Sequence, residues 1–155
     1  MKVLAIDPGY ERCGVAVIER TGRKEQLLYS DCIQTSKELP FHERLSIIAS
    51  ECGRLIGEYA PTAVAIEKLY FNANKKTAMA VSEVRGALIN TALERRLVVS
   101  EYTPSQIKVA VTGYGNADKK QIILMVQKLI KIEKEIRFDD EYDAIAIGIT
   151  HLAQH

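Results

Sequence analysis

The chain has 155 residues, 47% of them hydrophobic and 26% charged, with a formal net charge of +1. That balance fits one soluble globular domain with a substantial core. No apolar run reaches the roughly 20 residues that cross a bilayer, and Asp7, Glu11 and Arg12 break the apolar start that a signal peptide needs. A cytoplasmic protein with no membrane partner is therefore expected. Cys13, Cys32 and Cys52 are odd in number and lack CxxC spacing, so they read as small reduced core residues. The net charge neither proclaims nor excludes a nucleic-acid partner.

In chain order, the first 35 residues read as three strands, Lys2–Asp7, Cys13–Arg20 and Glu25–Thr35, with a hairpin turn at Thr21–Lys24. Pro40–Tyr59 carries Leu45, Ile48, Ala49, Cys52, Leu55 and Ile56 at helical spacing. Thr62–Ile66 is a short continuous apolar strand of the kind buried on both faces. A second helix is predicted from Lys75 to Arg96, then a fifth strand at Leu97–Glu101. Helical patterns follow at Pro104–Val111, Asp118–Ile132 and Asp140–Ala153, with a GYGN turn at Gly113–Asn116. No repeat or linker divides the chain, so residues 1–155 form one expected domain. Three meander strands and then two helix-linked strands imply an α/β fold with a five-stranded mixed sheet flanked by helices. That is the element order of the ribonuclease H-like fold, which hosts many functions, so function rests on the site.

Acids break the pattern in three places. Asp7 ends the first strand before a Pro8-Gly9 turn, and Glu67 ends the fourth after an unbroken apolar run. Asp140 and Asp143 lie three apart on one face at the start of the last helix. Each has an ordinary reading. Asp7 suits an Asx-turn, Glu67 a solvated strand end, and Asp139, Asp140 and Glu141 suit helix caps or dipole partners. Asp143 resists that reading, because it lies inside the apolar run. Together the four would converge at neighbouring strand ends and repel unless cations held them. Oxygen-only ligands suit Mg²⁺ or Mn²⁺. Two such ions about 4 Å apart would activate water and stabilise the leaving oxygen of a phosphodiester.

At these residues the chain resembles the RuvC-type Holliday-junction resolvases over nearly its whole length. The matching stretches are AIDPG with Gly14, AIE with Tyr70, VRGA at Val84–Ala87, VTGYGNADKKQ at Val111–Gln121, and DDEYDAIAIGITH at Asp139–His151. The resemblance implies a homodimeric, Mg²⁺-dependent endonuclease that cuts four-way DNA junctions symmetrically, with two ions per site and a RuvA–RuvB branch-migration complex as partner. It places Asp7, Glu67, Asp140 and Asp143 at the family's catalytic carboxylate positions. Some members carry His at the position of Asp140, and Asp139 beside it is the alternative ligand. Some members also continue into a basic tail, whose DNA contacts are expected to be absent here.

LYFNANKK at Leu69–Lys76 interleaves aromatic and basic residues directly after Glu67. Tyr70 or Phe71 is expected to stack on an opened base, with Lys75 and Lys76 near the backbone; the bland reading is a loop with solvated lysines. Lys119 and Lys120 begin a helix, where the macrodipole disfavours cations. A glycine-rich turn into a helix N-terminus binds phosphate, so these two are assigned DNA contacts, and the resemblance adds Lys108, one short helix upstream, which matches a basic position in the family. His151 lies two turns beyond Asp143 and reads as a packing histidine. Two rivals remain, a YqgF-like nuclease acting on RNA or another nucleic acid and a catalytically silent DNA-binding dimer; an actin-like ATP-binding protein is set aside, because it would need two such domains.

Overall fold

The computed structural model describes residues 1–69 and 75–155. β1 (Lys2–Asp7), β2 (Arg12–Thr21) and β3 (Lys24–Gln34) form the meander, and α1 (Phe41–Tyr59) leads to β4 (Ala63–Glu67). α2 (Lys75–Glu94), β5 (Val98–Tyr102), α3 (Pro104–Thr112), α4 (Lys119–Leu129) and α5 (Asp139–Gln154) follow. Among the described residues the strands form one five-stranded sheet in the order β3-β2-β1-β4-β5. The meander pairs are antiparallel, while β1–β4 and β4–β5 are parallel. The mixed sheet is the one expected from the sequence. The expected helix over 118–132 is shorter, because Ile130 leaves helical geometry and turns its backbone extended.

Alternation along β1 explains why helices cover both faces. Leu4 and Ile6 pack with Ile48, Leu55, Val84 and Leu88 of α1 and α2. Val3 and Ala5 pack with Ile145, Ala146 and Ile149 of α5. Small residues let α5 lie close to the sheet: a Cβ on Gly148 would sit 2.7 Å from the Ile18 side chain and 3.3 Å from Ala5 Cβ. Full burial of Leu4, Ile6, Ile66 and Ile145 contributes about 1.5–3 kcal/mol each relative to exposure. The three cysteines are free and buried, as expected. No described helix is long and apolar enough to cross a membrane.

Candidate active site

Strand parity aims two acids at one place. Val3 and Ala5 of β1, and Ala63 and Ala65 of β4, all face α5. Asp7 and Glu67 continue those two rows and share that face. The strands are parallel with Ile6 opposite Ile66, so the two acids stand level at neighbouring carboxyl ends. α5 arrives with its first turn over them. Gly14 pairs with Asp7 across the sheet, and a Cβ on Gly14 would lie 1.8 Å from the Asp140 carbonyl oxygen. Any side chain there would push α5 off the strand ends and carry Asp140 and Asp143 with it.

The electrostatics record the crowding. Burial, then the carboxylates of Glu67, Asp143 and Asp140, hold Asp7 well above the ordinary carboxylate range. Glu67 is raised by burial and by Asp143, against the relief of a hydrogen bond with Asp7 and the nearby Lys119 and Arg85. Asp143 is raised by burial and eased by Lys119. Two protein cations lie on the cluster: Lys119 Nζ pairs with Asp143, and Arg12 Nε lies 3.2 Å from Asp140 Oδ2. The Arg12 guanidinium also sits 5.3 Å over the Phe138 ring. Among the described residues no three His, Cys, Asp or Glu side chains are drawn together into a ready cage for an ion. The donor set nevertheless fits a hard divalent cation: oxygen only, in mutual repulsion, and already taking cations from lysine and arginine.

The other expected residues fall in three groups. Lys108 and Lys119 line a cleft with Glu67 and Asp143, floored by Ile107, Ala117 and Ile147. Lys120 is exposed one position on, and Lys75 and Lys76 are exposed in the first turn of α2. Tyr70 and Phe71 lie outside the described residues. Lys119 escapes the unfavourable α4 terminus by turning to Asp143, while Asp118 and Gln121 cap the helix reciprocally. The glycine-rich turn is ordered by Gly113, which ends α3 in the left-handed region at φ 76°. Of the two adjacent candidates, Asp140 bears on Asp7, whereas Asp139 is exposed.

Sequence reasoning missed Glu141 and Arg85. Glu141 is 4% exposed and is no dipole acid: it accepts from Ser30 Oγ at 2.6 Å and forms an ion pair with Lys134 Nζ at 2.6 Å. Its signal was the apolar row Glu141, Ile145, Gly148 and Leu152, which puts the acid on the buried stripe. Arg85 Nε donates to the Glu67 carbonyl at 3.0 Å. His151 is a packing histidine, as expected: it is buried, and its Nδ1 lies 2.9 Å from the Tyr102 hydroxyl.

The comparisons with known proteins identify the family. The profile described as crossover junction endodeoxyribonuclease RuvC matches residues 3–151. A protein of that name from Thermosipho melanesiensis is 44% identical over 148 residues, covering 96% of this chain and 94% of its own. Another from Syntrophomonas wolfei is 43% identical, covering 98% and 88%. Thermus thermophilus RuvC in complex with Holliday junction substrate superposes with a TM-score of 0.92 at 32% identity, over 99% of this chain and 94% of that one. The fowlpox virus Holliday junction resolvase, at 14% identity and a TM-score of 0.62, shares the fold. With a family profile spanning nearly every residue and relatives above 40% identity along the full length, this chain belongs to the RuvC family of crossover junction endodeoxyribonucleases.

Proposed function

We propose that this nuclease resolves four-way DNA junctions by paired symmetric cuts, using Asp7, Glu67, Asp140 and Asp143 to hold two Mg²⁺ ions, for which Mn²⁺ can substitute. The observation that carries this reading is the convergence of β1, β4 and α5 acids on one face, with Asp7 raised by three carboxylate neighbours. The ions, when bound, supply a polarised water and charge neutralisation at the phosphodiester. The chain's own residues do the rest. Asp7 and Glu67, fixed at the ends of neighbouring strands, set the spacing of the oxygen ligands. Asp143 and Asp140 close the site from the N-terminal end of α5, held there by the Gly14 approach. Lys119 is the nearest ammonium to the reacting phosphate, because it already stands against Asp143. Lys108 and Lys120, with Lys75 and Lys76, hold the DNA backbone, and Tyr70 or Phe71 stacks on an opened base.

Two matched cuts on a two-fold-symmetric substrate call for two sites related by the same axis, so the active species is a homodimer. α2 supplies the contact. Its outward row is Met79, Gly86 and Leu93, with Met79 69% and Leu93 57% exposed and open space at the Gly86 Cβ position. Ala92 of the same helix is fully buried in the core and lies off this row. Residues 1–155 act as one cytoplasmic domain, with a RuvA–RuvB complex as the partner that delivers junctions. The test is incubation with a synthetic four-way junction, a linear duplex and an RNA–DNA hybrid, each with and without Mg²⁺. Metal-dependent, paired cuts confined to the junction are expected; equal cutting of the hybrid would overturn the assignment.

A further inference from the structure

The VRGA stretch at Val84–Ala87 still lacks a role in the site. Val84 is 1% exposed and packs in the core beneath α1, and Gly86 faces outward. Between them, Arg85 points the other way, toward the strand ends. Its side chain is 13% exposed; Nε donates to the Glu67 carbonyl at 3.0 Å, and the other end of the guanidinium pairs with Glu101 of β5. Glu101 stands opposite Ile66 in the β4–β5 ladder, and the next ladder bond is Lys68 N–H to the Tyr102 carbonyl at 2.7 Å. One planar fork thus bridges α2, the last residue of β4 and the penultimate residue of β5.

We infer that Arg85 is a positioning residue for Glu67, a strut that fixes the last peptide of β4 so that the Glu67 carboxylate meets Asp7 in the geometry a divalent cation needs. The inference rests on the proposed metal site. Glu67 needs such a strut because it ends the strand. Its side chain pivots with its own peptide, and among the described residues the ladder ends at the Lys68 N–H bond to Tyr102. A helix-borne arginine suits the task, since its rigid fork can hold a carbonyl and a carboxylate at once, whereas an ammonium offers one compact charge.

The experiment compares Arg85→Gln and Arg85→Lys with wild type and with Glu67→Gln as the ligand-loss control. Four readouts are taken: Mn²⁺ affinity by calorimetry without DNA, junction affinity without metal, single-turnover cutting, and melting temperature. Loss of a supporting hydrogen bond behind a metal ligand costs on the order of 10–100-fold in metal affinity. That loss is expected in Arg85→Gln with junction affinity unchanged, with a smaller loss in Arg85→Lys and partial recovery of cutting at high Mn²⁺. Wild-type Mn²⁺ affinity in a folded Arg85→Gln protein, or a loss that only follows a lowered melting temperature, would overturn the inference. Failure of wild type itself to bind Mn²⁺, or equal binding by Glu67→Gln, would instead overturn the metal site and leave Arg85 without a ligand to position.

Discussion

Asp140 and Glu141 are neighbours in sequence and opposites in circumstance. Successive helix residues point about 100° apart, so the first turn of α5 sends one acid to the strand ends and the other beneath β3. Glu141 ends in a closed network: Ser30 Oγ donates to it at 2.6 Å, Lys134 Nζ pairs with it at 2.6 Å, and Lys134 donates to the Ser30 carbonyl at 2.6 Å. Asp140 ends among Asp7, Glu67 and Asp143, where three of the four acids are held above their ordinary pKa. A buried acid with its donors supplied holds a fold together. A crowd of acids without enough donors works against the fold and persists because something else uses it.

Neutralising the crowd should produce the largest effect. Asp7→Asn, Glu67→Gln and Asp143→Asn are each expected to slow junction cutting by roughly 10³-fold or more, equivalent to about 4 kcal/mol at the transition state. Junction binding should persist, because affinity comes from basic contacts. The same variants should melt higher than wild type without metal, as repulsion is relieved. Parallel cutting assays and melting curves check both; an Asp7→Asn protein that melts lower would show that the acids are satisfied after all.

Removing Glu141 should invert that pattern. Glu141→Ala takes the acceptor from the buried Ser30 hydroxyl and one of two partners from Lys134, which costs about 1–3 kcal/mol. Denaturant midpoints should fall accordingly, while the rate per folded molecule at low temperature stays within a few-fold of wild type. A rate loss as deep as that of Asp7→Asn would place Glu141 in the chemistry and dissolve the contrast.

The pH dependence separates the regions further. Groups whose folded pKa is raised stabilise most fully below the unfolded carboxylate value, and that contribution is lost as pH rises through the raised values. The cluster therefore weakens the metal-free protein as pH climbs toward neutral. His151 opposes this, since burial and then the nearby His155 and Arg20 push it down to about 4. Its contribution is present above the ordinary histidine value and lost as pH falls toward that figure. Comparing variant with wild type at each pH cancels the histidine. The melting gap between Asp7→Asn and wild type should widen as pH rises through the raised carboxylate values and shrink as pH falls to the ordinary carboxylate range.

How much of this the sequence disclosed follows from which patterns are local. Strand alternation and helix periodicity are, and they placed every strand and helix of the sheet's two faces. Asp7, Glu67 and Asp143 were legible because each ends or breaks an apolar run, and Asp140 because it shares a helix face with Asp143 and matches the family's carboxylate position. Glu141 was not, because three acids in one first turn look alike until the helix face is fixed by packing. Arg85 was hidden for a different reason: its partners lie 18 and 16 residues away, a separation no periodicity encodes. The pairing of Lys119 with Asp143 across 24 residues escaped likewise, leaving only the misfit of a lysine at a helix N-terminus as a hint.

The smallest expected effect is the sharpest test of the contrast, because one chemical change is made on both sides. Arg12 and Lys134 are each half-exposed, at 53% and 46%, and each holds one of the two neighbouring acids. An exposed pair contributes about 0–1 kcal/mol, so Arg12→Gln should change stability very little. What Arg12 does is occupy Asp140, so its removal frees an oxygen ligand and should tighten Mn²⁺ binding by a few-fold. Lys134→Gln meets a different acid. Glu141 is 5% exposed at its side chain, cannot turn to water, and keeps only Ser30 as donor, so the fold should lose about 1 kcal/mol with Mn²⁺ affinity unmoved. Calorimetry and denaturant melts on the two variants read both quantities. If Arg12→Gln weakens Mn²⁺ binding, Arg12 orients Asp140 and does not compete for it, and the acids of α5 differ less than their surroundings imply.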